Sequence, residues 1–286
     1  MLRIGARDVQ PGEFVLMAIV NRTPDSFYDR GATYAMAAAV ERVDQVVADG
    51  ADMVDVGGVK AAPGDDVDAA EEIRRTVDLI AAIRAAHPTL PISIDTWRAS
   101  VAREALAAGA DVVNDAWGGV DPELASVAAE AGAGIVCTHA GGLPPRTRPH
   151  RVTYDDVVAD IVARTTALAD TAVAAGVDRD RVLIDPGHDF GKNTRHSLEA
   201  TRRLTELVET GWPVLVALSN KDFVGETLDV PLEERLTGTL AATAVSAWLG
   251  ARVFRAHDVA ATRQTLDMVA SIRGDRPPVR TVRGLA

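Results

Sequence analysis

The sequence predicts the α/β class, and within it a single closed barrel of eight parallel strands and eight helices, the (β/α)8 or TIM barrel. Short apolar runs alternate with longer amphipathic segments eight times, and no low-complexity linker interrupts the 286 residues. That length is typical of one such barrel. We therefore expect one domain over residues 1–286, with residues 1–13 forming a short hairpin or plug at the bottom. Two smaller domains or an open doubly wound sheet are the alternatives.

The eight strand candidates are short, apolar and often β-branched. This composition is typical of strands that are buried on both faces of a parallel sheet. In chain order they are Phe14–Val20, Met53–Val56, Ile92–Ile94, Val112–Val113, Gly134–Cys137, Val182–Ile184, Val214–Leu218 and Arg252–Phe254.

Helix candidates with apolar residues at i, i+3 and i+4 lie between the strands, for example Val40–Val47, Ile73–Ala86 and Leu240–Leu249. A glycine follows most of these segments and precedes the next strand, which is where a left-handed residue closes a helix. These glycines are Gly50, Gly109, Gly132, Gly176, Gly211 and Gly250. Their regular recurrence indicates repetition of one βα unit.

Composition excludes several classes of function. The net charge of −11 argues against a nucleic-acid or anionic-membrane partner, because neutralising phosphates needs a basic face. The single cysteine, Cys137, allows neither an intramolecular disulfide nor a CxxC metal or redox site, and we expect it to fill the core. With no apolar run near the length of a membrane span, we expect a cytoplasmic protein.

Polar residues follow every predicted strand, at the edge where active sites of (β/α)8 barrels are built. Each one alone is more often the N-cap of the next helix. Eight that converge on one mouth favour a functional site. They are Asn21, Asp55, Asp95, Asn114, His139, Asp185, Ser219 with Lys221, and Arg255 with His257.

The chemistry of these groups indicates a ligand class. Asp95 and Asp185 accept hydrogen bonds, Asn114 donates and accepts, and Lys221 donates. This set suits a flat heterocycle with an amino–amide edge, although a divalent metal site or an ion pair would also use it. The pair Arg255–His257 stands before the last helix, where this fold often binds phosphate. A surface ion pair and a capping histidine are the alternatives there.

Two further signals are weaker. The stretch Gly187–Lys192 has glycines spaced too closely for a Walker phosphate loop, and Asn193 stands where Ser or Thr is needed, so we reject that motif. His139 precedes a glycine-rich loop and could be a general base, but a structural histidine is more common.

Taken together and in order, these residues resemble the dihydropteroate synthase family of pterin-binding barrels over nearly the whole chain. The matching motifs are Met17–Phe27, Gly50–Gly58, Ile94–Thr96, Val113–Asp115, Ile184–Gly187, Phe190–Lys192, Ser219–Lys221 and Arg255–Asp258. The family joins a dihydropterin-methyl diphosphate to p-aminobenzoate with loss of diphosphate.

The resemblance implies a role for each matched residue. The pterin would contact Asp95, Asn114, Asp185, Phe190 and Lys221; the diphosphate Asn21, Arg255 and His257; Mg²⁺ Asn21; and the aminobenzoate side Ser219. Lys221, Arg255 and His257 would be the catalytic residues. Sulfone or sulfonamide analogues become candidate ligands, and a homodimer is implied, with Thr237–Leu249 as a candidate face.

The sequence departs from the family pattern in its second loop. Where the family carries Glu-Ser-Thr-Arg-Pro-Gly, this chain reads Val59–Gly64, so Ala61 and Ala62 replace a hydroxyl and a guanidinium. Asn220 replaces the arginine of the family's Ser-Arg-Lys motif, and Ala217 stands where glycine is usual. Because one such hydrogen bond acting on the transition state is worth about 10²–10³ in rate, we expect weak or absent synthase activity.

Three alternatives remain open at this stage. The first is an active synthase that compensates through Lys60, Arg30 or Arg22. The second is another enzyme on this scaffold, a folate-dependent methyltransferase or an aldolase that forms a Schiff base on Lys221. The third is a pterin- or folate-binding protein without catalysis.

Overall fold

The computed structural model describes residues 2–23, 35–147 and 152–284. Two short strands come first, β1 (Leu2–Ile4) and β2 (Arg7–Val9). Eight more follow: β3 (Val15–Asn21), β4 (Met53–Gly57), β5 (Ile92–Asp95), β6 (Val112–Asp115), β7 (Gly134–Thr138), β8 (Val182–Asp185), β9 (Leu215–Ala217) and β10 (Val253–Ala256). Each contains or overlaps a predicted strand.

Strands β3 to β10 form one parallel sheet in the order β8-β7-β6-β5-β4-β3-β10-β9. The two outer strands of this order also meet, because Ile184 of β8 bridges in parallel to Val214, directly before β9. The Ile184 amide donates to the Pro213 carbonyl at 3.0 Å. The sheet therefore closes on itself, and the predicted (β/α)8 barrel is confirmed.

Helices connect consecutive strands on the outside of the barrel. They are α1 (Met36–Ala48), α2 (Ala69–Ala86), α3 (Ala99–Ala107), α4 (Leu124–Glu130), α5 (Val157–Ala174), α6 (Thr194–Arg202), α7 (Leu204–Val208), α8 (Asp222–Leu228), α9 (Leu236–Trp248) and α10 (Val259–Arg273). The six predicted helix-closing glycines all have left-handed backbones, with φ between 63° and 114°. Among the described residues, no helix is both long and apolar enough to cross a membrane.

The hairpin of β1 and β2 lies at the amino-terminal end of the barrel. Its strands pair antiparallel, with Leu2 opposite Val9. Leu2, Ile4 and Val9 are buried in one cluster with the lowest inward residues of the barrel strands, among them Val15 and Met17. These apolar side chains fill the lower half of the barrel and leave its upper half to polar groups.

In four strands the interior changes from apolar to polar between one inward-facing residue and the next. Because side chains alternate along a strand, every second residue faces the barrel interior. The interior residue nearer the hairpin is apolar and the next one is polar in four strands: Met53 and Asp55, Val112 and Asn114, Leu183 and Asp185, and Val253 and Arg255. This alternation places the polar cluster at the carboxyl ends of the strands.

Candidate functional site

One cavity of about 130 Å³ opens at the carboxyl ends of the strands. All nine residues to which the sequence assigned a ligand or metal role line it. They are Asn21, Asp95, Asn114, Asp185, Phe190, Ser219, Lys221, Arg255 and His257. The strand-end residues that the sequence expected to converge on a mouth therefore do so at these positions. We call this space the mouth cavity.

Arg255 joins two carboxylates at the floor of the mouth cavity. Its Nε donates to Asp55 Oδ2 at 2.6 Å, and its Nη2 donates to Asp95 Oδ2 at 2.8 Å. The Asn114 amide also donates to Asp55 Oδ2, at 3.2 Å. The surface ion pair considered for Arg255 is thus wrong, since the pairing is inside the barrel. Two edges of its guanidinium are already used by protein carboxylates.

The carboxyl of Asp95 has a pKa that is raised towards neutral pH. Burial raises the pKa of its carboxyl to about 7, and repulsion from Asp55 acts in the same direction. The Arg255 guanidinium opposes the rise by favouring the charged form. A ligand N–H group in this cavity would therefore meet an Asp95 that is a full acceptor only above neutral pH.

Asp185 and Lys221 are held by the loop that follows β8. Asp185 Oδ1 accepts the Gly187 amide at 2.7 Å, and Lys221 Nζ donates to the His188 carbonyl at 2.5 Å. Burial raises the pKa of Asp185 and lowers that of Lys221, while each charge partly offsets the shift of the other. The loop therefore positions one acceptor and one donor on the same side of the cavity.

Phe190 gives the cavity an aromatic wall. Its ring lies 4.8 Å below Lys221 Nζ and meets the Trp117 ring edge-on, with 5.0 Å between the centroids. Trp117 is buried and was not singled out from the sequence. No periodic signal identifies it, because it follows β6 in a loop. Phe190 lines the cavity and offers the flat apolar face that a heterocycle needs for stacking, while the Trp117 ring packs against it from outside the cavity lining.

His257 contributes a hydrogen-bonding ring and no charge. Burial, together with the nearby Arg255, lowers its pKa to about 3. The His257 amide donates to Ser219 Oγ at 3.2 Å, and the hydroxyl lies 3.0 Å from His257 Nδ1. Ser219 Oγ can accept from the amide and still either donate to Nδ1 or accept from it, so the direction of this second bond depends on the ring tautomer. The pair Arg255–His257 thus carries one cation and one neutral ring.

His139, expected at the mouth, faces the outside of the barrel instead. Its Nε2 lies 2.7 Å from Asp160 Oδ2 on α5, and its Nδ1 lies 2.6 Å from Lys192 Nζ. Burial lowers the pKa of His139 to about 4, so the neutral ring links the Asp160 carboxylate to Lys192 Nζ. The mouth interpretation of His139 was wrong because two consecutive residues of a strand face opposite sides.

Lys192 is fully buried and ties two loops together. Besides His139 Nδ1, its ammonium contacts the carbonyls of His139, Gly187 and Phe190 at 3.0–3.1 Å. The motif that was rejected as a phosphate loop is therefore an internal tether. It fixes the loop that carries Phe190 and the contacts of Asp185 and Lys221.

Thr138 takes the place in the mouth cavity that was expected for His139. It is the last residue of β7, pairs in register with Asp185 on β8, and lines the cavity. The sequence carried a usable signal that was missed. Val136 is in the interior cluster, so the period of two points Thr138 inward.

The loop after β4, where the sequence departs from the expected family pattern, contributes Val59, Lys60 and Ala61 to the cavity lining. Asn220, by contrast, does not line the cavity. Its backbone is left-handed, with φ of 55°, and its amide N–H donates to Thr239 Oγ1 on α9 at 3.1 Å. Position 220, where the family's arginine was expected beside the ring, is therefore not part of the cavity wall in this chain.

Arg146 reaches the loop after β4 from the segment that follows β7. Arg146 donates from Nη1 to the Asp65 carbonyl at 2.6 Å and from Nε to the Ala62 carbonyl at 3.2 Å. Both contacts are to backbone atoms. Arg146 therefore supports the position of the loop, and it does not line the mouth cavity.

A preformed metal centre is not part of the described structure. Over residues 2–23, 35–147 and 152–284, no group of three or more His, Cys, Asp or Glu side chains is arranged to hold a metal ion. Asn21, assigned to Mg²⁺ by resemblance, offers one amide oxygen beside Gly57. Mg²⁺ commonly takes few protein ligands and completes its shell with water and substrate phosphates.

Comparisons with known proteins agree with this site. The model of the family "Pterin binding enzyme" matches residues 17–257. "Inactive dihydropteroate synthase 2" of Mycobacterium tuberculosis is 62% identical over 284 residues, which cover 98% of this chain and 89% of that protein.

Two solved structures share the fold closely. The Yersinia pestis dihydropteroate synthase, solved with a sulfonamide drug, has a TM-score of 0.90 at 32% identity and covers 96% of this chain and 99% of its own. The Xanthomonas albilineans enzyme in complex with 7,8-dihydropteroate has a TM-score of 0.80 at 36% identity, covering 91% of this chain and 94% of its own.

The closed barrel, its polar mouth and the matched family model place the chain in the pterin-binding enzyme family of (β/α)8 barrels. Within that class the chain belongs to the dihydropteroate synthase family, of which it is a homologue.

Proposed function

We propose that this protein binds a pterin in the mouth cavity and has little or no dihydropteroate synthase activity. Asp95, Asn114, Asp185 and Lys221 would contact the polar edge of the ring, and Phe190 its face. The observation that carries the proposal is the lining of one cavity by all five residues, while the second loop adds only Val59, Lys60 and Ala61. The name of the Mycobacterium tuberculosis relative, "Inactive dihydropteroate synthase 2", supports it.

The residues proposed to hold the diphosphate are partly engaged by other groups or carry no charge. Arg255 and His257 would hold the diphosphate, and Asn21 would coordinate Mg²⁺ that arrives with it. Arg255 is already shared by Asp55 and Asp95, and His257 is neutral. Of the three cations considered as replacements for the missing loop arginine, Lys60 lines the cavity, Arg22 donates to the Arg75 carbonyl, and Arg30 lies outside the described residues. A lysine does not reproduce a bidentate guanidinium.

The aminobenzoate side would be occupied by p-aminobenzoate or by sulfone and sulfonamide analogues near Ser219. Solved relatives carry a sulfonamide drug or 7,8-dihydropteroate, which supports this ligand class. We also propose a cytoplasmic homodimer. Its support is an exposed apolar face on the adjacent helices α9 and α10, formed by Val245, Trp248, Met268 and Ile272.

The decisive experiment pairs a binding assay with a turnover assay. Calorimetry with 6-hydroxymethylpterin should show saturable binding. Turnover with dihydropterin-methyl diphosphate, p-aminobenzoate and Mg²⁺ should be at least about 10²-fold below that of an ordinary synthase. Turnover at an ordinary rate would refute the loss of activity, and absence of pterin binding would refute the whole proposal.

A restoration series tests the cause of the loss. Ala61→Thr with Ala62→Arg should raise turnover by about tenfold or more, because both groups return to the loop above the cavity. Ala61→Thr with Ala62→Lys is the matched control, since it restores charge without the guanidinium fork. Asn220→Arg alone should add little, because the Asn220 side chain contacts Thr239 on α9 and does not line the cavity. Equal turnover for the Arg and Lys double variants would show that the fork is not the missing part.

A further inference from the structure

The hydroxyl of Thr138 is an unpartnered polar group in the wall of the mouth cavity. Thr138 is 2% exposed, and its Oγ1 contacts neither solvent nor any hydrogen-bonding group of the described residues. A buried hydroxyl without a partner costs stability, so native proteins rarely keep one without a reason. Buried threonines on the helices behave differently: Thr165, for example, donates to the Ile161 carbonyl at 2.7 Å.

The packing of its methyl group fixes this hydroxyl in place. A Cβ built on Gly187 would lie 3.1 Å from Thr138 Cγ2, so the methyl rests against that turn. Because a β-branched side chain has few rotamers, the hydroxyl does not readily turn away. The backbone around Thr138 is also engaged, since β7 pairs with β6 and β8.

The neighbours of Thr138 are the residues proposed to contact the ligand ring. Asp185 lies directly opposite Thr138 on β8, and on β6 Asn114 pairs with Val136, the inward residue of β7 before Thr138. All three line the same cavity. Three adjacent strands therefore contribute a carboxylate, a hydroxyl and an amide to one cavity wall.

We propose that Thr138 is a specificity-determining residue whose hydroxyl completes, with Asp185 and Asn114, the edge that recognises the polar side of the pterin ring. This inference rests on the proposed pterin binding and adds to it. The hydroxyl loses no protein partner when the ligand arrives and gains one. It favours ligands with an amino–amide edge over flat rings of the same size that lack one.

The test uses one substitution that should preserve or raise thermal stability and at the same time weaken pterin binding. Thr138→Val keeps the shape and removes the hydroxyl. The unliganded variant should melt at the same or a higher temperature than the wild type, because an unsatisfied polar atom is removed. Its Kd for 6-hydroxymethylpterin should rise about 5- to 100-fold, the range expected for one buried hydrogen bond. Thr138→Ser, which keeps the hydroxyl, should stay within a few-fold of the wild type.

A control variant and a second ligand make the outcomes distinguishable. Thr165→Val removes a buried hydroxyl far from the cavity and should leave the Kd unchanged. In a 6-substituted lumazine a carbonyl replaces the 2-amino group of the pterin. The ratio of the Kd of Thr138→Val to that of the wild type should be smaller for this lumazine than for the pterin. A Kd unchanged in Thr138→Val, or a melting temperature lowered by several degrees, would overturn the inference alone. A wild type that binds no pterin would overturn the proposed function as well.

Discussion

At the scale of single residues, the most informative group is Asp95, because its pKa of about 7 lies within the working range of pH. An ionised carboxylate accepts the N–H groups of a pterin, whereas a protonated one accepts them poorly. The ionised fraction rises about tenfold between pH 6 and pH 8 for such a pKa. We therefore expect the Kd for a pterin to fall by up to about tenfold over this interval, measured by calorimetry.

The matched variant is Asp95→Asn, which keeps the shape and removes the titration. It should bind more weakly at pH 8, and its Kd should vary much less between pH 6 and pH 8. The pH dependence of stability has the opposite sign to that of binding: a rise in pH should tighten pterin binding and destabilise the unliganded protein. Because the folded pKa is raised above 3.8, the unliganded protein loses stability as pH rises from about 4 to about 7. A wild-type Kd that is the same at both pH values would argue against Asp95 as an acceptor.

Every candidate position was read from its place after a predicted strand, and this was right only where the period of two also directs the side chain inward. Asp95, Asn114 and Asp185 each end up inside the barrel as expected. His139 does not, because the inward residue of β7 is Thr138. The pairing of Arg255 with two aspartates of other strands was beyond reach, since it depends on how the strands are staggered around the barrel.

At the scale of elements, the loop after β8 depends on Lys192. Its ammonium holds three carbonyls and one ring nitrogen in a buried site, and both Gly187 and Asp189 in this loop have left-handed backbones. Lys192→Met would leave those carbonyls without a donor. We expect the free energy of unfolding to fall by about 2–4 kcal/mol and pterin binding to weaken, because Phe190 and the Lys221 contact move with the loop.

Urea unfolding followed by tryptophan fluorescence measures this change, and Trp117 beside Phe190 reports on the loop itself. Lys60→Met serves as the control for stability, since Lys60 lies at the cavity rim and its loss should cost less than about 0.5 kcal/mol. Equal stability of Lys192→Met and the wild type would show that water satisfies the carbonyls and that the tether is dispensable.

The elements themselves were largely predictable, because strands buried on both faces must be apolar and glycine closes the helices. Seven of the eight predicted strands were nevertheless short at their carboxyl ends, the exception being Val214–Leu218. The expected Val112–Val113 is in fact Val112–Asp115, and the expected Ile92–Ile94 extends to Asp95. Polar residues were taken as the end of a strand, whereas their backbones still pair in the sheet. Asp95, Asn114, Asp185 and Arg255 are therefore held by the hydrogen bonds of the sheet, which makes their positions rigid.

At the scale of the whole molecule, the exposed face of α9 and α10 makes a prediction about assembly. Trp248 is 59% exposed, Met268 61% and Ile272 60%, while the cores of both helices are packed against the barrel. Burying each such side chain in an interface is worth about 1.5–3 kcal/mol before the cost of association.

Light scattering at micromolar concentration should therefore give about twice the 30.2 kDa of one chain. Trp248→Glu should give a monomer, because a dimer would have to bury an unpaired carboxylate. Val120→Glu, at another exposed apolar residue, is the matched control and should remain dimeric. Since the mouth cavity lies at the strand ends and this face lies on the outer helices, the monomeric variant should keep its Kd for a pterin. A wild type that runs as a monomer, or a Trp248→Glu protein that stays dimeric, would exclude this face as the interface.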